Sequence, residues 1–312
     1  MTANVLLYRL WRLRRLIAVA ILPPLMVTAL SLPAGHAAPG LFVALSVLVP
    51  LAHVLAYPKD WAETMTVSLV LAFTLWLASG IDPDAGLLSV ALRTIGLSAL
   101  ALVLFLFTIM PMGLILALGP MRESGHVRAT GHSRLPTAEL KSAITLYPGR
   151  KDARTTCGPA DADGVFAVET RHEFARVDGV CTGEPDDTFD ADGTMAVRFS
   201  ASVVSTGEDH HEVITFEEPG GAIEASRHAF EATGSGTRVT VEETTAGLTG
   251  GMALGFWLQD YLADHLTDEI DAAEGRAPRA NRAFPQTSLF IDILGWIGRR
   301  LRGDSGPQAD ST

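Results

Sequence analysis

Cysteine is nearly absent: the 312-residue chain has two, Cys157 and Cys181. So low a count excludes a disulfide-dense scaffold, and their separation lacks the close spacing of a zinc site. Aromatic residues make up only 7%, and the 35 acidic residues outnumber the 24 basic ones for a formal net charge of −11. A nucleic-acid binder needs a basic surface, so no nucleic-acid partner is expected. Catalytic signatures are missing too. The sequence has no Walker loop, nucleophile elbow, His-Glu-x-x-His helix or dinucleotide fingerprint. Asp161-Ala162-Asp163-Gly164 and Asp190-Ala191-Asp192-Gly193 both lack the Glu six residues after the glycine that a calcium loop uses, and read as turns. Neither a metal nor a cofactor is expected.

Hydrophobic residues are abundant instead, at 48%, with a mean hydropathy of +0.25. That is too high for an ordinary soluble chain of this length, and the average hides a split. Residues 1–120 hold six basic and four acidic residues; residues 121–312 hold 18 and 31. A membrane region therefore precedes an acidic soluble domain. Crossing the hydrocarbon core takes about 20 mainly apolar residues. Four stretches are candidates: 16–32, 41–57, 65–81 and 95–118. Arg9, Arg12, Arg14 and Arg15 precede the first and Arg122 and Arg128 follow the fourth. These flanks predict a cytoplasmic N-terminus and, after four crossings, a cytoplasmic soluble domain. A rival reading takes the first stretch and the small residues Pro33–Ala38 as a cleaved signal peptide. The length of the stretch and the three that follow favour a retained span. Only His53, and Arg93 at the outer end of the fourth stretch, are candidates for ionisable groups at depth. None of the four stretches contains an acidic residue to pair with them, so an anchor is favoured over a transporter.

From His126 the periodicity changes. Strands are predicted at 127–135, 165–174, 194–205, 212–217, 222–232 and 237–244, separated by loops at 148–164 and 184–193 and by Gly-rich turns. Thr137 is placed as the cap of a short helix. One long helix, Leu248–Glu274, is predicted to turn Leu254, Leu258, Leu262, Leu266 and Ile270 inward, flanked by Phe256 and Tyr261. Asp260, Asp264, Asp268 and Asp271 form its opposite face, read as solvated. His210-His211 reads as a solvated turn.

This order of elements is α+β, a curved antiparallel sheet around a long C-terminal helix. Residues 126–276 resemble the polyketide cyclase/START-like (SRPBCC, helix-grip) superfamily. The resemblance rests on Gly131-His132-Ser133-Arg134-Leu135-Pro136-Thr137-Ala138-Glu139, the turn Glu218-Pro219-Gly220, the strands Ser226–Glu231 and Gly236–Val241, and the ending Asp271–Arg276. It departs from many members in having Leu140 and Tyr147 where they carry a Trp. The resemblance implies a deep cavity between sheet and helix that takes a lipid or other hydrophobic ligand. Leu254, Phe256, Leu258, Tyr261, Leu262, Phe199 and Val203 would line it. Binding rather than catalysis is the expectation. A cyclase- or hydrolase-like enzyme and a protein-interaction module with a filled core remain alternatives.

Residues 277–312 form a basic linker, a short apolar run at 289–297 followed by Arg299, Arg300 and Arg302, and a disordered tail. The run is too short to span, and reads either as an interfacial helix on an anionic membrane or as a helix packed on the rest of the protein. The resemblance, together with 21 arginines against three lysines, places the chain in a bacterial inner membrane.

Overall fold

The computed structural model describes residues 2–31, 39–79, 96–97, 99–105, 107–108, 125–173, 194–216, 223–246, 249–281 and 288–301. Cys181, the 184–193 loop, the Pro219-Gly220 turn, the tail after 301 and most of the 95–118 stretch lie outside them. Three helices are long and apolar enough to cross a membrane: α2 (Arg14–Ser31), α3 (Pro39–Ala56) and α4 (Trp61–Ser79). Within the fourth expected span, residues 99–105 are helical. A short amphipathic helix, α1 (Ala3–Arg12), precedes α2.

Pro24 sits inside α2 without breaking it, and the packing shows how. Proline has no N–H to give the carbonyl four residues back. That carbonyl belongs to Ala20, and Ser68 Oγ of α4 donates to it at 2.5 Å in a buried contact. Thr28 and Ser46 meet at 2.8 Å between α2 and α3. Small hydroxyl side chains thus join the three helices where the apolar residues bring no directional force.

The second part is an α+β domain with one seven-stranded, wholly antiparallel sheet. Its strands are β1 (Gly125–Ser133), β2 (Thr155–Cys157), β3 (Val165–Glu173), β4 (Thr194–Thr206), β5 (His210–Phe216), β6 (Ile223–Thr233) and β7 (Gly236–Ala246). The sheet order is β1-β7-β6-β5-β4-β3-β2. The predicted strands recur with shifted ends, and the predicted 148–164 loop contains β2. Helix α5 (Thr137–Ile144) follows β1. Thr137 is its first residue rather than its cap, and its hydroxyl lies 3.2 Å from that of Thr237.

The predicted C-terminal helix is two helices, α6 (Gly250–Gln259) and α7 (Tyr261–Ala273). Asp260 separates them at φ 51°, ψ 44°, a left-handed conformation that ends a helix. The break sends the two apolar faces to different partners. On α7, Leu262, Leu266 and Ile270 pack on Ala129, Val239 and Val241 of the sheet and on Leu140 and Ile144 of α5. On α6, Leu258 packs with Leu13, Leu16 and Val54. The strand β1 comes close under α7 at Gly131, where an added Cβ would lie 2.5 Å from Ile270 Cδ1.

The aspartate face is not solvated. Asp264, Asp268 and Asp271 are 6%, 5% and 1% exposed. Each has partners that the expectation of a bare outer face left out. Tyr8 of α1 donates to Asp264 at 2.9 Å, Arg154 to Asp268 at 2.8 Å and Arg279 to Asp271 at 2.9 Å. Tyr8 from before the domain, Arg154 from within it and Arg279 from after it thus cover this face.

The last helix, α8 (Leu289–Leu301), begins on the Glu63 carboxylate. The backbone N–H groups of Leu289 and Phe290 donate to it at 3.0 and 2.6 Å, and Tyr57 donates to Asp292 at 2.8 Å. The start of α8 is thus packed on the apolar helices, while Trp296 further along is 55% exposed.

Candidate functional site

The hydrophobic core of the domain is divided. One cluster joins α7 and α5 to β1, β6 and β7. A second joins Cys157, Phe166, Val168, Ala201 and Val213 across β2 to β5. Between them lies a cavity of about 1080 Å³, bounded by Ile144, Val241, Leu262 and Leu266 on one side and by Phe199 and Val213 on the other. That is slightly above the usual size range of small-molecule pockets, about 300–1,000 Å³.

Four of the seven residues expected to line a cavity do so: Phe199, Phe256, Tyr261 and Leu262. Phe256 and Tyr261 stack across the helix break, with ring centroids 4.4 Å apart and planes 15° from parallel. The other three lie elsewhere. Leu254 is 45% exposed on α6. Leu258 is buried against Leu13, Leu16 and Val54, because the turn at Asp260 rotates α6 away from the sheet. Val203 packs beside the second cluster.

The cavity also has a wall from outside the domain. Pro58 and Lys59, in the loop joining α3 to α4, border it. Gln259 holds this loop through Nε2, which donates to the carbonyls of Pro58 and Lys59 at 3.2 and 2.7 Å. Gly255 packs so tightly on Trp61 at the start of α4 that a Cβ there would overlap the indole.

A polar group of residues in the cavity is absent from the expected set. Ser226 and His228 lie on the inner face of β6, and Glu243 lies opposite Ser226 on β7. All three are buried. Alternation along β6 already turns Ser226, His228 and Phe230 to one face and leaves Arg227, Ala229 and Glu231 on the other. That signal was available, because two polar residues at inward strand positions contradict a purely apolar core. Burial lowers the His228 pKa from 6.5 to about 4, and neighbouring His211 adds to the shift. His228 is therefore neutral at pH 7. His211 is not in a solvated turn either. It opens onto β5, is 3% exposed, and its Nε2 lies 2.8 Å from the Leu146 carbonyl.

Cys157 is a buried free thiol whose pKa is pushed up by burial. Among the described residues no group of three or more His, Cys, Asp or Glu could hold a metal ion.

No protein-family profile matches the chain, and no curated protein is similar to it. Among solved structures it is similar to the di-domain ARO/CYC StfQ from the steffimycin biosynthetic pathway, at 12% identity and a TM-score of 0.34, over 58% of this chain and 60% of that one. It is similar to the di-domain ARO/CYC BexL from the BE-7585A biosynthetic pathway at 13% identity and a TM-score of 0.32, over 64% and 62%. A Deinococcus radiodurans protein matches at 16% identity and a TM-score of 0.28, over 48% of this chain and 99% of that one. The chain thus spans about three fifths of the di-domain proteins it matches.

Proposed function

We propose that this is a membrane-anchored START-like protein that binds a lipid or other hydrophobic ligand between its sheet and α7. The observation that carries the reading is the cavity of about 1080 Å³ with Pro58 and Lys59 in its wall. Those residues join two helices long enough to cross a membrane, so the cavity borders the place where the chain would leave the bilayer. A ligand dissolved in the leaflet would reach the cavity with little passage through water. The arginines at 9, 12, 14 and 15 favour a cytoplasmic position for the domain. The proposed location is a bacterial inner membrane. The exposed Trp296, with the Arg300 guanidinium 5.6 Å from its ring centroid, suits the far end of α8 to the membrane interface.

One observation favours a second reading. Ser226, His228 and Glu243 put hydrogen-bonding side chains inside the cavity, as an enzyme acting on an apolar substrate would require. Binding is preferred because Ile144, Val241, Leu262, Leu266, Phe199 and Val213 give the cavity the apolar walls that a hydrophobic ligand needs.

The test is native mass spectrometry of the full chain, purified in detergent and in lipid nanodiscs, with organic extraction of bound material. A near-stoichiometric apolar molecule released from the protein supports the binder. An empty protein that takes up no lipid from nanodiscs of bacterial lipid extract refutes it. Recovery of a chemically altered ligand after incubation moves the assignment to the enzyme.

A further inference from the structure

His228 is a costly side chain to leave as it stands. It is 7% exposed, it lines the cavity, and its Nδ1 has no hydrogen-bond partner among the described residues. A buried donor or acceptor without a partner costs free energy that a ligand can recover. Ser226 shares its face of β6, two residues along, and Glu243 lies across from Ser226 in the β6–β7 register. The three form one polar spot in a wall that also holds Val241, Leu262 and Leu266.

The charges around the spot narrow the chemistry. Glu224 and Glu243 line the cavity from β6 and β7, and Asp268 and Glu269 line it from α7. The cavity's cations are Lys59 in the α3–α4 loop and Arg150, Lys151, Arg154 and Arg171 in and around β2 and β3. Two of them are already engaged: Arg154 with Asp268 at 2.8 Å, and Arg150 with Asp152 and the carbonyls of Thr145 and Ala143. An anionic head group at His228 would face carboxylates. A cationic one would find Asp268 already paired with Arg154 at 2.8 Å, and the burial that holds His228 neutral opposes a charge placed beside it. A neutral imidazole offers one donor and one acceptor, which is what a hydroxyl can match in both directions.

We propose that the Ser226–His228–Glu243 spot selects a hydrophobic ligand carrying an uncharged hydroxyl, an alcohol or phenol, over one ending in a carboxylate or an amine. The proposal rests on the hydrophobic-ligand reading and deepens it.

Photo-crosslinking of the full chain in nanodiscs tests it. The probes share one sixteen-carbon diazirine-and-alkyne chain and end in a hydroxyl, a carboxylate, an amine or no head group at all. Labelled peptides from β6, β7 and α7 are quantified by mass spectrometry. The hydroxyl probe is expected to label them about fivefold or more above the carboxylate and amine probes, roughly the effect of one well-made buried hydrogen bond. His228→Leu brings that ratio close to one while the headless probe still labels, which shows an intact cavity. His228→Gln, which keeps a donor and an acceptor, retains much of the preference. Equal labelling by the three head groups in the unaltered protein overturns the proposal and leaves the hydrophobic-ligand reading standing. A preference that survives His228→Leu also overturns it. Failure of every probe, the headless one included, sinks the underlying reading instead.

Discussion

Arg12 and Asp260, 248 positions apart in the chain, meet at 3.0 Å between Nη1 and Oδ2. The contact ties the helix before the first apolar span to the left-handed residue that divides α6 from α7. Arg12 also donates through Nη2 to Thr267 at 3.2 Å, Arg15 donates to the Trp257 carbonyl at 2.9 Å, and Tyr8 reaches Asp264. The basic stretch that orients a membrane protein therefore has a second job here, holding the domain.

That bond should be measurable as a coupling. In a double-mutant cycle with Arg12→Gln and Asp260→Asn, thermal unfolding of the full chain should show an interaction of about 1 kcal/mol, since both side chains are only partly exposed. Asp260→Ala should cost more than Asp260→Asn by about 1 kcal/mol, because asparagine tolerates the left-handed conformation and alanine does not. Additive single effects would show that the contact holds nothing.

Ser68 and Pro24 make a pair of another kind. Ser68→Ala removes the donor to the Ala20 carbonyl and should destabilise the helical region by roughly 0.6–1.7 kcal/mol, the range of hydrogen bonds between membrane helices. In a Pro24→Ala background the restored N–H of residue 24 can serve the same carbonyl, so the cost of Ser68→Ala should fall. Unfolding in mixed micelles would read both, and an unchanged cost in that background would refute the link.

The strands were legible because the domain faces water on one side of its sheet, and side chains alternate accordingly. The polar turns at 207–209 and 234–236 marked their ends. The first three apolar helices were legible by composition alone. The break at Asp260 was not: the leucine spacing runs unbroken from Leu254 to Ile270, and only tertiary partners decide that α6 turns toward Leu13 and Val54. For the same reason the aspartate stripe was misread. Spacing shows that four carboxylates share a face, but their counter-charges come from Arg12, Arg154 and Arg279 in distant segments. Phe199 on a strand and Phe256, Tyr261 and Leu262 on the helices were readable parts of the cavity wall. Pro58 and Lys59 were not, because no pattern in a sequence says which loop lies over a pocket.

Glu63 is wholly buried and accepts both N–H groups that open α8. Those groups have no partner within the helix, so α8 depends on the carboxylate for its start. Glu63→Ala should release α8 and raise deuterium uptake across 288–301 by about tenfold or more in rate, consistent with a lost interaction worth 1.4 kcal/mol or above. Glu63→Gln keeps an acceptor and should release it less. Unaltered exchange in Glu63→Ala would mean that packing alone seats the helix.

Acid should loosen the domain through His228 before it affects most carboxylates. The folded pKa is about 4 against an ordinary 6.5, so the unfolded chain binds the proton more readily between those values. Stability rises with pH wherever the unfolded state holds more protons. The contribution of His228 is therefore constant above pH 6.5, falls as the pH drops from 6.5 to about 4, and changes no further below that. His211 is lowered too, chiefly by burial, and adds to the same slope. Thermal midpoints of the full chain at pH 7.5, 6.5, 5.5 and 4.5 should fall steadily over the last three. His228→Gln, which cannot titrate, should flatten the decline without abolishing it, because His211 remains. An identical pH profile in the variant would mean that His228 is solvated in the folded protein. The polar spot in the cavity would then already be satisfied by water, leaving a ligand hydroxyl little to gain.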